Sequence, residues 1–253
     1  MTRADRIQSY LRTTAHGFWE AVPIPPFTAF FNPRDPLRYL NYAIPDERAE
    51  GDLSAPLEEL RETFRSRDRL PRFEYVEGFA PGLAGSLEAV GFEVELRAPL
   101  MTCPAGEIAA PPRVQGLTVV PAVDDPRATI TVGNRAFGAG DEPEASDDDV
   151  SEWLVRAETR GLSLLGLLDS EPVAIASATP PLDGLSEVAG VGVLERARRR
   201  GVGAAMTAAA ARAAAAEGAE LLFLSPGSDG AQAVYTRVGF RPAETTLYYA
   251  DPE

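Results

Sequence analysis

Apolar positions Ile7, Tyr10, Leu11 and Phe18 recur at helical spacing over residues 4–19, so an amphipathic helix is expected there. The stretch VPIPP (22–26) reads as a breaker, and FTAFF (27–31) and YLNYAI (39–44) read as strands. PLEELRETFRSRD (56–68) reads as a polar helix with a proline in its first turn. RFEYVE (72–77) is strand-like, APGLAGSLEAVG (80–91) a short helix ended by Gly91, and FEVELRAPLM (92–101) a strand. The loop TCPAGEIAAPPRVQG (102–116), rich in Gly and Pro, is the best linker candidate.

After it, LTVVPA (117–122) reads as a strand and DPRATITVGNRAFG (125–138) as a helix. The acidic loop GAGDEPEASDDD (138–149) leads into a helix, DVSEWLVRAETR, with Ser146 or Asp147 as its expected cap. LSLLGLLD and PVAIASATP predict a hairpin around Ser170-Glu171, and SEVAGVGVL (186–194) a further strand. GVGAAMTAAAARAAAAEG (201–218) predicts a helix closed by Gly218. A buried strand (219–226), a helix (227–239) and a final strand (240–250) complete the chain. From residue 117 the predicted order is β-α-α-β-β-β-α-β-α-β, an α/β domain with a mixed sheet.

Two stretches repeat at a fixed distance. Val90-Gly91-Phe92 and Val238-Gly239-Phe240 lie 148 positions apart (238 minus 90), and the same offset lays strand, helix, strand, helix and strand of the two halves onto each other. The expectation is two lobes, 1–110 and 116–253, related by duplication. The segment RRRGVG (198–203) of the second lobe falls opposite EGDLSA (50–55) of the first, which has no arginine.

The formal net charge of −14 disfavours nucleic acid or an anionic membrane as partner, since both would be repelled on average. Four arginines within residues 196–200 are therefore read as a local site. The first residues carry charges throughout and lack the apolar core of a signal peptide. No apolar run reaches the roughly 18 residues of a membrane span. One cysteine, Cys103, and one histidine, His16, leave little for a disulfide, a zinc cluster or a Ser-His-Asp triad. A cytoplasmic, metal-free protein is expected.

The segment from Val193 to Ala204 carries the chemistry. A dinucleotide fingerprint would need a third glycine close behind the strand, but Gly201-Val202-Gly203 is followed by Ala204, Ala205 and Met206. A Walker loop would need Gly-Lys-Ser/Thr, which is absent. What remains is a basic loop running into a helix whose first turn is Gly-Val-Gly-Ala. Such a turn offers unpaired N–H groups and the positive end of the helix dipole, and its small side chains let a pyrophosphate approach. A solvated basic loop capped by glycines would look the same in isolation.

In its context, Arg198-Arg199-Arg200-Gly201-Val202-Gly203 resembles the Gln/Arg-x-x-Gly-x-Gly/Ala signature of the GNAT superfamily of acyl-CoA-dependent N-acyltransferases. The strand VAGVGV before it, and Tyr235 with Val238-Gly239-Phe240 after it, come in the family's order, so the resemblance covers about residues 117–250. It implies a GNAT fold in the second lobe and a partial, degenerate copy in the first. It implies that the backbone of Val191, Gly192 and Val193 holds the pantetheine arm of acetyl-CoA. The amides of Arg199, Arg200, Gly201, Val202, Gly203 and Ala204 would hold the pyrophosphate, with Arg198 beside it. Tyr235 takes the place of the general acid that protonates the leaving thiolate. Glu187 stands where some members carry a catalytic base, and strand alternation would put 187, 189, 191 and 193 on one face; in other members water takes the proton. Two positions depart from the pattern: Glu195 replaces a proline, and Ser228 replaces an asparagine that contacts the cofactor.

The implied activity is direct acetyl transfer from acetyl-CoA to a primary amine on a small molecule or peptide, with no metal. A non-catalytic acyl-CoA sensor or assembly module is the alternative, and a homodimer is left open. The acidic residues Asp141, Glu142, Glu144, Asp147, Asp148 and Asp149 would either attract a cationic acceptor or simply start the next helix. Trp19 and Trp153 read as packing residues and Cys103 as inert.

Overall fold

The computed structural model describes residues 1–33, 38–138, 142–157 and 161–252. In chain order the first elements are α1 (Arg3–Phe18), β1 (Glu20–Ile24), β2 (Phe27–Phe31), β3 (Tyr42–Pro45), α2 (Ser54–Arg65), β4 (Arg72–Val76), α3 (Leu83–Ala89) and β5 (Glu93–Pro104). Then follow β6 (Leu117–Pro121), α4 (Pro126–Phe137), α5 (Asp147–Ala157), β7 (Leu162–Leu168), β8 (Glu171–Ala178) and β9 (Leu185–Val193). The last elements are α6 (Val202–Ala216), β10 (Leu221–Leu224), α7 (Asp229–Val238) and β11 (Arg241–Ala250). The chain is thus a mixed α/β protein, with the predicted element order from residue 117 onward.

It divides into two compact units, Met1–Leu100 with Pro242–Glu253, and Met101–Arg241. These limits differ from the expected lobes, 1–110 and 116–253, at both ends. In unit 1, β11 pairs antiparallel with β4, from Thr246 opposite Val76 to Ala250 opposite Arg72. In unit 2, Met101–Pro104 of β5 pair antiparallel with β10. Each unit therefore takes its last strand from the other half of the sequence. The expected linker shrinks accordingly, because Thr102, Cys103 and Pro104 are strand residues with Thr102 and Cys103 buried.

Unit 1 orders its strands β1-β2-β3-β4-β11, with only the β3–β4 neighbours parallel. The expected breaker at 22–26 is in fact β1 and the turn after it. Pro23 is tolerated because β1 is an edge strand, where a missing N–H breaks no ladder. The core of unit 1 packs Phe27, Leu57, Leu60, Phe64, Phe73, Leu83 and Leu87 between the sheet and helices α2 and α3.

In unit 2, β6, β7, β8 and β9 form an antiparallel meander and β10 adds parallel to β9. The β7–β8 turn is Asp169-Ser170, both at positive φ as a two-residue hairpin turn requires, one residue earlier than expected. One face of this sheet carries α6, whose buried alanines let Met206 and the helix backbone sit close to β7–β10. Fully buried partners such as Leu222 and Phe240 each contribute on the order of 1.5–3 kcal/mol. The other face carries α4, packed through Val132 on Leu165 and Leu194. Ser146, one of the two expected caps, receives the Asp149 N–H and opens α5.

At the offset of 148, α2 and α6 begin together at Ser54 and Val202, and β5 and β11 at Glu93 and Arg241. Gly91 and Gly239 occupy the same place in both halves, each at positive φ.

Candidate active site

The chain between β9 and α6 descends through a short 3-10 turn (Glu195–Ala197) into Arg198, Arg199 and Arg200, all exposed. Arg199 has a φ of 60° and Gly201 a φ of 86°. A left-handed conformation at arginine is strained, and strain of this kind collects at functional loops. At Gly201 the same conformation suits glycine, whose place a branched residue could not take beside Val114.

No side chain caps α6. Its first internal bond is Ala205 N–H to Gly201 O, and no amide from Arg199 to Ala204 donates to a described residue. By contrast α1, α4 and α7 are all capped by side chains, from Thr2, Asp125 and Ser228. The α6 terminus thus presents a cluster of free N–H donors with Arg199 and Arg200 beside it, neither in an ion pair with a described residue. Arg198 is engaged, its Nε donating to the Val193 carbonyl at 2.9 Å.

The parallel pairing of β9 with β10 stops at Glu187 opposite Phe223. From Val188 to Gly192 the β9 edge on that side has no strand opposite and no side-chain hydrogen bond among the described residues. A slot of open backbone therefore leads up to the basic loop. Gly203 lies where this slot meets the helices: a Cβ on it would stand 3.7 Å from Val193 and 3.8 Å from Val234.

The residue after Val234 is Tyr235. It is half-buried on α7, with its ring 6.4 Å from that of Phe240, and burial pushes its phenol above the usual value. Its hydroxyl bonds to no described residue.

One expectation needs correction. A bulge interrupts β9, since Ala189 faces Ser177 and Gly192 faces Ile175, so β9 spends one residue more than β8. Gly190, at a φ of 59°, absorbs the extra residue. Val188, Val191 and Val193 consequently pack on the α6 face, whereas Gly192 lies under Ala136 and Phe137 of α4. Glu187 and Ala189 share the face of Gly192, so Glu187 does not line up with Val191 and Val193. Ser228, expected beside the cofactor, accepts from the Ala231 N–H at 3.2 Å through its Oγ and caps α7.

The acidic loop is tied down from α4. Arg127 donates to the Ala145 carbonyl and to the Asp147 carboxylate, and Arg135 to the Glu142 carbonyl at 2.8 Å. Asp149 is held below the usual carboxylate range by the Ser146 hydroxyl and N–H. Glu144 and Asp148 are exposed, and Asp141 lies outside the described residues. Trp19 packs against Ala15, Phe30 and Ile44, and Trp153 is half-buried on α5. Cys103 is buried, which pushes its thiol up. His16 stacks edge-on against Phe30 at 5.0 Å. Among the described residues no cluster could hold a metal, and no helix is long and apolar enough to cross a membrane.

Comparisons with known proteins bear on this arrangement. Residues 131–240 match the model of the acetyltransferase (GNAT) family. A solved GCN5-related N-acetyltransferase from Kribbella flavida is 30% identical at a TM-score of 0.80, covering 100% of this chain and 97% of that one. One from Sphaerobacter thermophilus is 18% identical at a TM-score of 0.67, covering 89% and 76%. A tandem GNAT protein from the clavulanic acid biosynthesis pathway is 17% identical at a TM-score of 0.61, covering 90% and 79%. The last two show a shared fold. No curated protein matches the chain by sequence.

Proposed function

The chain belongs to the GCN5-related N-acetyltransferase family, and on that premise we propose that unit 2 transfers an acetyl group from acetyl-CoA directly to a primary amine. The observation that carries this reading is the α6 terminus, where the amides of Arg199, Arg200, Gly201, Val202, Gly203 and Ala204 are free next to exposed arginines. Free N–H groups at a helix start favour a phosphate group, and the donor set fits the pyrophosphate of coenzyme A. The open β9 edge up to Val191 and Gly192 supports amide contacts with the pantetheine arm, and at Val193 the carbonyl is already taken by Arg198. Ser228 is left with its hydroxyl proton and one lone pair for any cofactor contact, the other lone pair being used by α7.

In the reaction the amine nitrogen bonds to the thioester carbonyl carbon and the C–S bond breaks. Tyr235 gives its phenolic proton to the departing thiolate. The phenol is protonated through the neutral range, so the proton is there to give, and burial, which raises its pKa, makes it a weaker acid than an exposed tyrosine. Glu187, on the α4 face, takes the proton lost by the amine, directly or through water.

The test is acetyl transfer from radiolabelled acetyl-CoA to a panel of primary amines, with Tyr235→Phe as the comparison. The variant should lose about a hundredfold in kcat and keep its affinity for CoA. It should also lose the alkaline limb of the rate, which in the parent lies above the ordinary tyrosine value of 10.0. Tight CoA binding with no amine acetylated by the parent protein would instead identify a binding module.

A further inference from the structure

The face of unit 2 that carries α4 changes character where that helix ends. Across β7, β8 and β9 the row Leu165, Ile175 and Gly192 lies under α4, with Phe137 against Gly192. The next row is Ser163, Ser177 and Ala189, and the two serine hydroxyls meet at 3.0 Å. Beyond it come Thr179 and Glu187, joined through the Glu187 N–H and the Thr179 hydroxyl at 2.9 Å. These five residues are half-buried, and the Phe137 ring at the edge of the row is 64% exposed. The bulge at Gly190 is what brings Glu187 onto this face.

We propose that this surface is the acceptor platform and that it selects a hydroxylated primary amine, of the amino-alcohol or amino-sugar kind. The inference rests on the acyl-transfer reading above. A hydroxyl pair uses one of its two protons internally, leaving one donor and several lone pairs to meet alcohol groups of a ligand. An exposed aromatic ring beside it packs against the C–H face of the same ligand. A site that hydrogen-bonds a substrate hydroxyl discriminates strongly against the analogue lacking it, because its own polar groups are then left unpaired.

The experiment uses matched primary amines with and without hydroxyl groups, measured both as acetyl acceptors and, by calorimetry, as ligands of the CoA-loaded protein. The parent should favour the hydroxylated member by at least about tenfold in both measurements. Ser177→Ala should bring the two members of each pair within about threefold of each other. Phe137→Ala should weaken both members about equally, with CoA affinity unchanged in either variant. A serine pair that only ties β7 to β8 would leave the hydroxyl preference intact, and that result overturns the inference. So does equal binding of both members by the parent. If hydroxylated amines bind with this preference and none is acetylated, the platform stands and the transferase reading falls.

Discussion

Helices α2 and α6 start at equivalent places in the two halves of the chain, and they are finished in opposite ways. At α6 the amides are free, the side chains nearby are arginines, and the chain turns at Arg199 and Gly201. At α2 the Asp52 carboxylate accepts from Ser54 N–H at 2.9 Å, and that bond holds its pKa below the usual range. The offset of 148 places Asp52 opposite Arg200 and Gly51, at a φ of 91°, opposite Arg199. The left-handed residue opposite Arg199 is kept, the one opposite Gly201 is not, since Leu53 has a φ of −101°, and the charge is reversed. Unit 1 thus supplies its own anion where the site proposed for unit 2 awaits one.

The parting of the parallel strands shows the same contrast. In unit 1 it follows the pair Ala43–Phe73, and Gln8 of α1 spans the gap. Its carboxamide oxygen accepts from Val76 N–H at 2.8 Å, and its NH2 group reaches the Pro45 carbonyl at 3.5 Å. In unit 2 the β9 edge beyond Glu187 stays open. Tyr235 has Leu87 as its counterpart, so unit 1 also lacks a proton donor there. Unit 1 therefore has Asp52 and Gln8 bonded to backbone groups at the places that, by the offset and by the strand order, stay open in unit 2.

The largest expected effect comes from writing the unit 1 residue into unit 2. Arg200→Asp puts a carboxylate beside the free amides of α6, removes a cation and repels phosphate. CoA affinity measured by calorimetry should fall about a hundredfold, which corresponds to roughly 2.7 kcal/mol. Unchanged affinity would remove the α6 terminus from the cofactor site. The next effect is on unit 1 itself. Gln8→Ala leaves the buried Val76 N–H without a partner and should cost about 1–3 kcal/mol in urea unfolding, while the protein still binds one CoA per chain. A wild-type stability for this variant would mean that the bridge is incidental.

How much of this could be read from the sequence follows from the distance over which each feature is decided. The helix starts, the basic loop and its glycines are local, so a tight turn into α6 was legible from a dozen residues, while its reading as an anion cradle needed the strand before it and Tyr235 after it. The bulge at Gly190 was not legible, because a register is a relation between β9 and β8. Gln8 acts on residues 37 and 68 positions away, and no periodicity marks it as more than a polar position on a helix. The exchange of β5 and β11 was hidden for a related reason. Both strands follow a helix ended by Gly-Phe, so pattern alone cannot say which edge each will join. Pro23 misled because proline forbids a central strand but not an edge one.

The smallest expected effect separates cap from cofactor contact at α7. Ser228 is opposite Ala80, and α3 of unit 1 has no side-chain cap, so Ser228→Ala again copies unit 1 into unit 2. Losing the bond from Ala231 N–H should cost about 1 kcal/mol of stability, the usual value of an N-cap. If capping is the main role of the hydroxyl, CoA affinity changes by less than about threefold, since the α6 donors and arginines are untouched. A tenfold loss of affinity would show that Ser228 also donates to the cofactor. The substitution Ser228→Asp refines the point: it preserves a good cap, so stability should return, but it sets a negative charge at the start of α7. Restored stability with weakened CoA binding would place the phosphates near this terminus as well, and restored stability with parental affinity would confine them to α6.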